Sequence, residues 1–466
     1  MMEVYRFKKL DRWDKFTIPH LHFPSRVSSA RIAELLRPRN ETVDRSKHSF
    51  SDLQPITIHF DGSISRRSVK DGRDYSMALK WVRPNDLVLS KIDLKNGAVG
   101  ILPADWSNAV VTTHFAVYEP DKTRVYPLYL RYLVQTGEFK RWLWANRSGA
   151  DGRTEVKLPV FEDLEIPLPD LSQQQTIVAA YDAALKEAAA KEQAADAAEA
   201  KAMADFEAAL GFAPATPLPD KPIFIASFKD LDRWSHEGVL RRMIPERPTA
   251  SRWPIVQLKT LAEVVYGLQK HPGNRPGLNA HPYLRVANVQ RGRIKLDDVK
   301  MINVDDGELE RLALKDGDLL FVEGNGSRAN LGRVAVWHGE IRDCIHQNHL
   351  IRARIDKSVA DPEFVAAWFN SDAGRVHFFK EGKTTSGLGT INSTVIREAP
   401  LPLPPLAYQR TLIKSLDAGR ADADQLRAEA ISMRTNAWAA FEAAVYAAEP
   451  MATPDAMDQP VVEAGA

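Results

Sequence analysis

From Asp170 to Leu210 the chain contains no Gly and no Pro. Ala dominates this stretch and Glu, Lys, Gln and Asp supply most of the rest. It is predicted as one helix on the order of 60 Å long, at ~1.5 Å per residue. A proline-pinned extended lead-in, Ile166-Pro167-Leu168-Pro169, precedes it. The same arrangement returns from Leu401 to Ala447, led in by Leu401-Pro402-Leu403-Pro404-Pro405. The two copies superpose without a gap at an offset of 235 residues. Gln174 falls on Gln409, Asp182 on Asp417, and Phe206-Glu207-Ala208-Ala209 on Phe441-Glu442-Ala443-Ala444. Two long helices of equal length, each closing one half of a chain, dictate a duplicated architecture.

The repeat reaches beyond the helices. Phe7-Lys8-Lys9-Leu10-Asp11-Arg12-Trp13 matches Phe228-Lys229-Asp230-Leu231-Asp232-Arg233-Trp234, and from Gly97 (matching Gly332) onward the offset is again 235. Each half holds a turn into a buried strand, Asn85-Asp86-Leu87-Val88-Leu89-Ser90 and Asp316-Gly317-Asp318-Leu319-Leu320-Phe321-Val322. A polar, glycine-containing loop follows, Lys91–Gly97 or Glu323–Gly332. Short strands come next (Ala98–Leu102 and Val110–Tyr118; Arg333–Trp337 and His349–Ile355). Then come one amphipathic helix (Pro127–Trp144 or Pro362–Lys380) and a second polar loop (Arg147–Lys157 or Lys383–Asn392). The fold class expected is α+β. The division expected is 1–165 for the first globular domain, 166–212 for the first helix and 213–222 for a stiff proline-rich linker. The second domain spans 223–400, the second helix 401–448, and a disordered tail 449–466. Ser172 with Gln175 makes a capping box at the first helix, and Ala407 removes it from the second.

The helices carry a seam. Leu412, Leu416, Gly419, Ala423, Leu426, Ala430, Met433 and Ala437 alternate steps of four and three; Ile177, Tyr181, Ala184, Ala188, Lys191, Ala195, Ala198 and Ala202 hold the same places in the first helix. So many alanines gain little burial alone, and the simplest partner for each helix is the other, as an antiparallel coiled coil with pseudo-twofold symmetry.

Net charge is +1, which hides a pattern. Residues 1–150 carry 25 Lys and Arg against 16 Asp and Glu, residues 221–400 carry 27 against 22, and Ser172–Phe212 carries 3 against 7. The globular parts are basic and the first rod is acidic. The lone Cys344 excludes an intrachain disulfide framework. The start of the chain, MMEVYRFKKLDRWDK, has no apolar signal core, and no apolar run is long enough to span a bilayer. A cytoplasmic location is expected.

The duplicated P-L-P-x-L-x-x-Q-x-x-[IL] lead-in, the long helix after it, and the text GDLLFVEGNGSRANLGRVAVW before CIHQNHLIRAR resemble the specificity subunits of type I restriction–modification systems. The resemblance covers nearly the whole chain. It departs at Gln173 and Tyr408, where the family has Glu before the Gln. The resemblance implies two target-recognition domains, each reading half of an asymmetric bipartite site on double-stranded DNA. It implies helices that set the unread spacer, two methyltransferase subunits and restriction-translocase subunits as partners, and no cofactor of its own.

No catalytic constellation holds up in the residues. Glu381-Gly382-Lys383-Thr384 lacks the leading Gly of a phosphate loop, having His377 there. Asp151 with Glu155-Val156-Lys157 is poorly spaced for a nuclease and has no equivalent in the other half. Cys344, His346 and His349 read as an alternating strand before they read as a metal site. Gly324-Asn325-Gly326 reads as a turn. Binding alone is expected. The candidates for DNA contact are Lys91, Lys95, Asn96, Arg147 and Arg153 in the first half, and Asn325, Arg328, Asn330, Lys383 and Thr385 in the second. Gln174 and Gln409 are assigned to the helix lead-in and a subunit interface. Two other classes are weighed, a fused DNA-modifying enzyme and a duplicated coiled-coil adaptor that bridges proteins without DNA; the basic excess argues against the second.

Overall fold

The protein is described here from a computed structural model, which describes residues 20–24, 27–67, 77–149, 155–213, 251–325, 330–385 and 388–446. The Phe7–Trp13 and Phe228–Trp234 motifs, all but the first residue of the linker, and the tail lie outside them. The chain divides into unit 1, Met1–Lys191 with Ala428–Ala466, and unit 2, Glu192–Arg427.

Unit 1 runs β1 (Ser29–Arg31), α1 (Ile32–Leu35), β2 (Leu36–Pro38), β3 (Gln54–Ile58), β4 (Ile64–Arg66), β5 (Leu79–Trp81) and β6 (Leu87–Ser90). It continues with β7 (Val99–Ile101), β8 (Ala109–Thr112), β9 (Phe115–Pro120), α2 (Pro127–Leu133), α3 (Gly137–Ala145), α4 (Leu158–Glu162) and β10 (Glu165–Pro167). The 39-residue α5 (Leu171–Ala209) follows. Unit 2 holds β11 (Ile255–Gln257), β12 (Ala262–Tyr266), β13 (Ala280–Leu284), β14 (Val289–Gln290), β15 (Arg293–Ile294), β16 (Lys300–Asn303), α6 (Asp306–Leu312) and β17 (Asp318–Val322). Next come β18 (Gly324–Asn325), β19 (Val334–Trp337), β20 (Ile345–His346), β21 (Leu350–Ile355), α7 (Pro362–Asn370) and α8 (Asp372–Glu381). β22 (Lys383–Thr385), β23 (Leu388–Thr390), α9 (Ser393–Arg397), β24 (Pro400–Pro402) and the 41-residue α10 (Leu406–Tyr446) complete it.

The main sheet of unit 1 has the order β2-β9-β6-β7, and that of unit 2 the order β12-β21-β17-β19; every pairing in both is antiparallel. The middle strands β6 and β17 are buried along their whole length, as their unbroken apolar runs require. A second sheet in each unit is built around one parallel pair, β3 with β8 and β13 with β20. β1 with β10, and β11 with β24, tie the start of each described domain to the lead-in of its long helix.

A buried Asp closes the turn into each of these strands, just before β6 and as the first residue of β17. Asp86 accepts from the Arg83 amide at 2.8 Å and pairs with Arg39 at 2.8 Å. Asp318 accepts from the Lys315 amide at 2.7 Å and takes both Nε and Nη2 of Arg354, at 2.8 and 2.7 Å. A buried carboxylate needs such donors to remain ionised. Burial still pushes the Asp86 carboxyl up, against the pull of the Arg83 amide and Arg39.

Three sequence expectations need correction. The single amphipathic helix in each half is two helices, α2 with α3 and α7 with α8, because a capping side chain interrupts it. Thr136 accepts from the Phe139 amide at 3.3 Å, and Ser371 from the Gly374 amide at 3.1 Å. The strand expected over Val110–Tyr118 is two, β8 and β9, which serve different sheets. The cap of α5 is Asp170, not Ser172: its carboxylate accepts from the Gln173 amide at 2.8 Å and from the Ser172 hydroxyl at 2.7 Å, and those bonds hold it below the usual carboxylate range.

Within unit 1 the early part of α5 packs on the late part of α10. Tyr181 meets Trp438 and Phe441 with ring centroids 5.5 Å apart in both pairs, and Lys191 pairs with Glu429 at 2.6 Å. Within unit 2 the late part of α5 packs on the early part of α10. Arg427 reaches Asp196 at 3.0 Å and Glu199 at 2.5 Å. A Cβ on Gly419 would lie 2.6 Å from the Cβ of Ala202, so the two backbones approach as closely as a glycine permits. Residue numbers rise along one helix as they fall along the other. The sixteen expected seam positions are all buried or half-buried.

Candidate nucleic-acid interface

In unit 1 three polar segments converge beside β7. Asp61-Gly62 turns β3 into β4: the Gly62 amide donates to the His59 carbonyl at 3.0 Å, and the Asp61 carboxylate accepts from the Ser63 amide and hydroxyl at 2.8 and 2.6 Å. The 3-10 turn Leu94–Asn96 ends on Gly97, and the α2–α3 corner supplies Arg131, Gln135 and Lys140. Gly62 and Gly97 both have positive φ, 77° and 89°. A Cβ on Gly62 would sit 2.7 Å from the Val99 carbonyl. One on Gly97 would sit 2.8 Å from the Phe60 carbonyl, 2.9 Å from Gln135 Oε1 and 3.1 Å from Lys140 Cε. Only glycine permits this contact. Gln135 Nε2 donates to the Gly97 carbonyl at 2.7 Å and fastens the corner to the turn.

Lys95 and Asn96 lie on this cluster, and the Asn96 amide donates to Asp93 at 3.1 Å. Lys91 is half-buried and its ammonium donates to the Thr113 carbonyl at 2.9 Å. Its charge, after burial, helps hold the Lys80 ammonium below the ordinary lysine range. Arg147 lies past α3, stacked 4.4 Å from the centre of the Trp144 ring and donating to the Trp144 carbonyl. Arg153 and Asp151 lie outside the described residues. Ser148 and Glu155, on either side of them in the sequence, form an antiparallel bridge. The sequence reading passed over Phe60, Gln135 and Lys140, although Asp61-Gly62 between alternating Ile56, Ile58 and Ile64 is a hairpin signal.

In unit 2 the two stretches expected as separate loops pair with each other. β18, β23 and β22 form a three-stranded antiparallel sheet, with Asn325 opposite Gly389 and Lys383 opposite Thr390. The backbones of Asn325, Lys383 and Thr385 thus belong to one small sheet. Asn330 lies at the far end of the first stretch, its carbonyl accepting from the Arg333 amide at 3.4 Å. Arg328 lies outside the described residues. Glu381-Gly382-Lys383-Thr384 is the end of α8 running into β22, with the Gly382 amide bonded to the Phe378 carbonyl at 2.9 Å.

Gln174 and Gln409 stand at the helix starts, and both side chains are 0% exposed and bonded within their own unit. Gln174 Oε1 accepts from the Tyr126 amide at 2.8 Å, and its Nε2 donates to the carbonyls of Arg124 and Pro169 at 2.9 and 2.8 Å. Gln409 repeats all three with Asp361, Val359 and Pro404, at 2.8, 3.3 and 2.8 Å. Each partner lies 235 residues beyond its counterpart. The amides fasten each long helix to the globular part before it.

Cys344, His346 and His349 point to separate places. Cys344 is buried, which pushes its thiol up to about 12. His346 is fully buried with Nδ1 on the Leu350 carbonyl at 2.9 Å, and His349 pairs with Glu323 at 2.7 Å. No group of three or more metal-ligating side chains comes together among the described residues, and no described helix is long and apolar enough to cross a membrane.

The model of the type I restriction modification DNA specificity domain matches residues 69–196. The EcoKI type I restriction enzyme specificity subunit of Escherichia coli (strain K12) is 34% identical over 171 residues, 36% of this chain and 35% of that protein. The StySPI type I restriction enzyme specificity subunit of Salmonella potsdam is 23% identical over 356 residues, 74% of this chain and 70% of that protein. The matched region thus spans about a third of the length of the first relative and over two thirds of the second. In fold, the chain is similar to a solved chain from work on complex assembly and conformational transition of the type I R-M system. The TM-score is 0.58 at 17% identity, covering 92% of this chain and 100% of that one. Residues 69–196 thus carry the type I restriction modification DNA specificity domain, and beyond them the chain is similar to type I restriction enzyme specificity subunits.

Proposed function

We propose that this protein is a non-catalytic, sequence-specific DNA-binding subunit that reads an asymmetric bipartite target and positions adenine-methyltransferase and restriction subunits on it. The observation that carries the reading is the specificity-domain match over residues 69–196, which takes in Lys91, Lys95, Asn96, Arg147 and Arg153. Residues 1–165 and 223–400 are proposed as the two target-recognition domains. The helices 166–212 and 401–448 pair as an antiparallel coiled coil and fix the unread spacer, with 213–222 as linker and 449–466 as tail. Internal duplication is supported by the two sets of glutamine bonds 235 residues apart and by the shared strand order of the main sheets.

Lys and Arg contacts to phosphate supply affinity that weakens with salt, and Asn, Arg and Thr at base edges supply sequence. Asn325, Arg328, Asn330, Lys383 and Thr385 are proposed readers in the second domain, two of its polar stretches being joined by a sheet. The halves differ between their paired strands: five residues separate β3 from β4, whereas β13 and β16 are separated by a segment holding β14 and β15. Two different readers require an asymmetric target.

The test is a methylome: long-read mapping of modified adenines in the source cell with and without this gene. Loss of one bipartite, asymmetric motif supports the reading and gives both half-sites and the spacer. An unchanged methylome in a cell shown to express the system overturns it and favours a protein-bridging adaptor.

A further inference from the structure

Phe60 is 57% exposed at the tip of the β3–β4 hairpin. The turn that carries this exposed ring is held by several bonds. The His59 amide donates to the Ser63 carbonyl at 2.9 Å, His59 Nε2 meets Ser65 Oγ at 2.8 Å, and Asp61 caps Ser63. Gly97 lies against the Phe60 carbonyl, and Gly62 against that of Val99, so the tip is clamped from both sides. A phenyl ring on a clamped turn loses little conformational freedom on binding, which is how rigid aromatic anchors work.

The charges around the ring are arranged unevenly. Cations stand on the same segments, Arg66 among them, its guanidinium over the Trp106 ring at 4.8 Å. Arg66 and Arg67 follow on the hairpin, Lys95 stands on the neighbouring turn, and the stem of Lys140 lies against the same Gly97 as Phe60. The Asp61 carboxylate stands at the tip itself, where the Ser63 bonds hold it below the usual carboxylate range. A polyanion approaching this surface is drawn in by the cations and kept off the tip by Asp61. What remains for the ring is the uncharged interior of the polyanion: its bases.

We infer that Phe60 is an aromatic wedge that contacts the stacked bases of duplex DNA at the first half-site, with Lys95 and Lys140 on the adjoining phosphates. This rests on the DNA-reading function proposed above and adds a contact that is neither electrostatic nor a base-edge hydrogen bond. Apolar wedges of this kind partly unstack a base step, and aromatic stacking is sensitive to truncation. Phe60 is on the surface, so replacing it leaves the core intact.

The test uses the full chain and a duplex selected from a random pool by the wild-type protein. Affinity is measured across a range of salt for wild type, Phe60→Ala, Phe60→Trp and Lys140→Gln, with 2-aminopurine placed at successive positions to report unstacking. Phe60→Ala is expected to weaken binding roughly ten- to a hundredfold without changing the salt slope and to abolish the 2-aminopurine signal at one step. Phe60→Trp is expected to retain both. Lys140→Gln is expected to reduce the salt slope by about 0.9 instead. A Phe60→Ala affinity within twofold of wild type, or a 2-aminopurine signal that survives it, overturns the inference and leaves the DNA-reading function standing. A wild-type chain that selects no sequence overturns that function, and the wedge with it.

Discussion

Replacing Gln174 or Gln409 by Met keeps the side-chain length and removes every polar atom from a site with no solvent access. In the first case the Tyr126 amide loses its acceptor and the carbonyls of Arg124 and Pro169 each lose a donor. A buried orphaned donor costs about 1–3 kcal/mol, and a carbonyl that loses one of its bonds costs about 1 kcal/mol. The expected loss is therefore about 3–5 kcal/mol for Gln174→Met. It is slightly smaller for Gln409→Met, because the bond from Gln409 to Val359 is long at 3.3 Å. A chain of two units need not unfold in one step, so the direct readout is native-state amide exchange. Exchange at Tyr126 should accelerate in the first variant alone, and exchange at Asp361 in the second alone. Urea unfolding followed by tryptophan fluorescence gives the matching loss in midpoint. Losses below about 1 kcal/mol, or unchanged exchange at both amides, refute the staple. A variant of unchanged stability that no longer binds a methyltransferase subunit would support the interface role instead.

Three further outcomes follow from single side chains. Burial lowers the His346 imidazole to about 4. The unfolded chain then protonates this group first as pH falls, so its contribution to stability is full above about pH 6.5 and is lost toward pH 4, with no further loss below; the total is about 3 kcal/mol. Urea midpoints across that window should fall less steeply in His346→Gln than in wild type. Gly374→Ala places a Cβ 2.0 Å from the Trp368 carbonyl, where backbone must move, and should destabilise unit 2 by about 2–3 kcal/mol in the same urea assay. Arg427→Ala removes contacts with Asp196, Glu199 and Asp424, all on exposed side chains, and should change the midpoint by less than about 1 kcal/mol despite the number of partners.

The long helices are legible because their signal is local and repeated: no Gly or Pro from Asp170 to Leu210, a proline lead-in before each, and Gln174 and Gln409 in register. Their ends are less so. Asp170 and Ser172 both offer an N-cap, and which one wins depends on where the lead-in strand β10 releases the chain. The break between α2 and α3 is hidden because apolar residues continue through it; Val134 and Phe139 are both fully buried, on either side of the Thr136 cap. The sheets are hidden for a different reason. β3 pairs in parallel with β8, Gln54 opposite Ala109, and no local pattern announces a partner that distant. The Val110–Tyr118 run reads as one strand because both of its parts are apolar, yet Thr113 and His114 turn the chain from one sheet to the other.

The site divides along the same line. Turn chemistry is written locally, so Asp61-Gly62 and Gly97 can be read as places where the chain bends. Where a bend lands is a tertiary fact. Gly62 lies against Val99, and Gly97 against Phe60, across about forty residues of chain in each case. Each glycine alone reads as an ordinary turn, and only the pair shows two turns pressed together. Phe60 is passed over for a related reason. It follows Ile56 and Ile58, so the alternation assigns it a core place, and only the clamped hairpin tip turns it outward. In unit 2 the polar character of Glu323–Gly332 and Lys383–Asn392 is plain in the residues, but their pairing through β18 and β23 depends on main-chain bonds, with Gly324 opposite Thr390 and Gly389 opposite Asn325. Backbone pairing between glycine-containing stretches leaves no side-chain alternation to read. A surface made by apposing such segments can therefore be rebuilt by changing either one while the sheets beneath it stay the same.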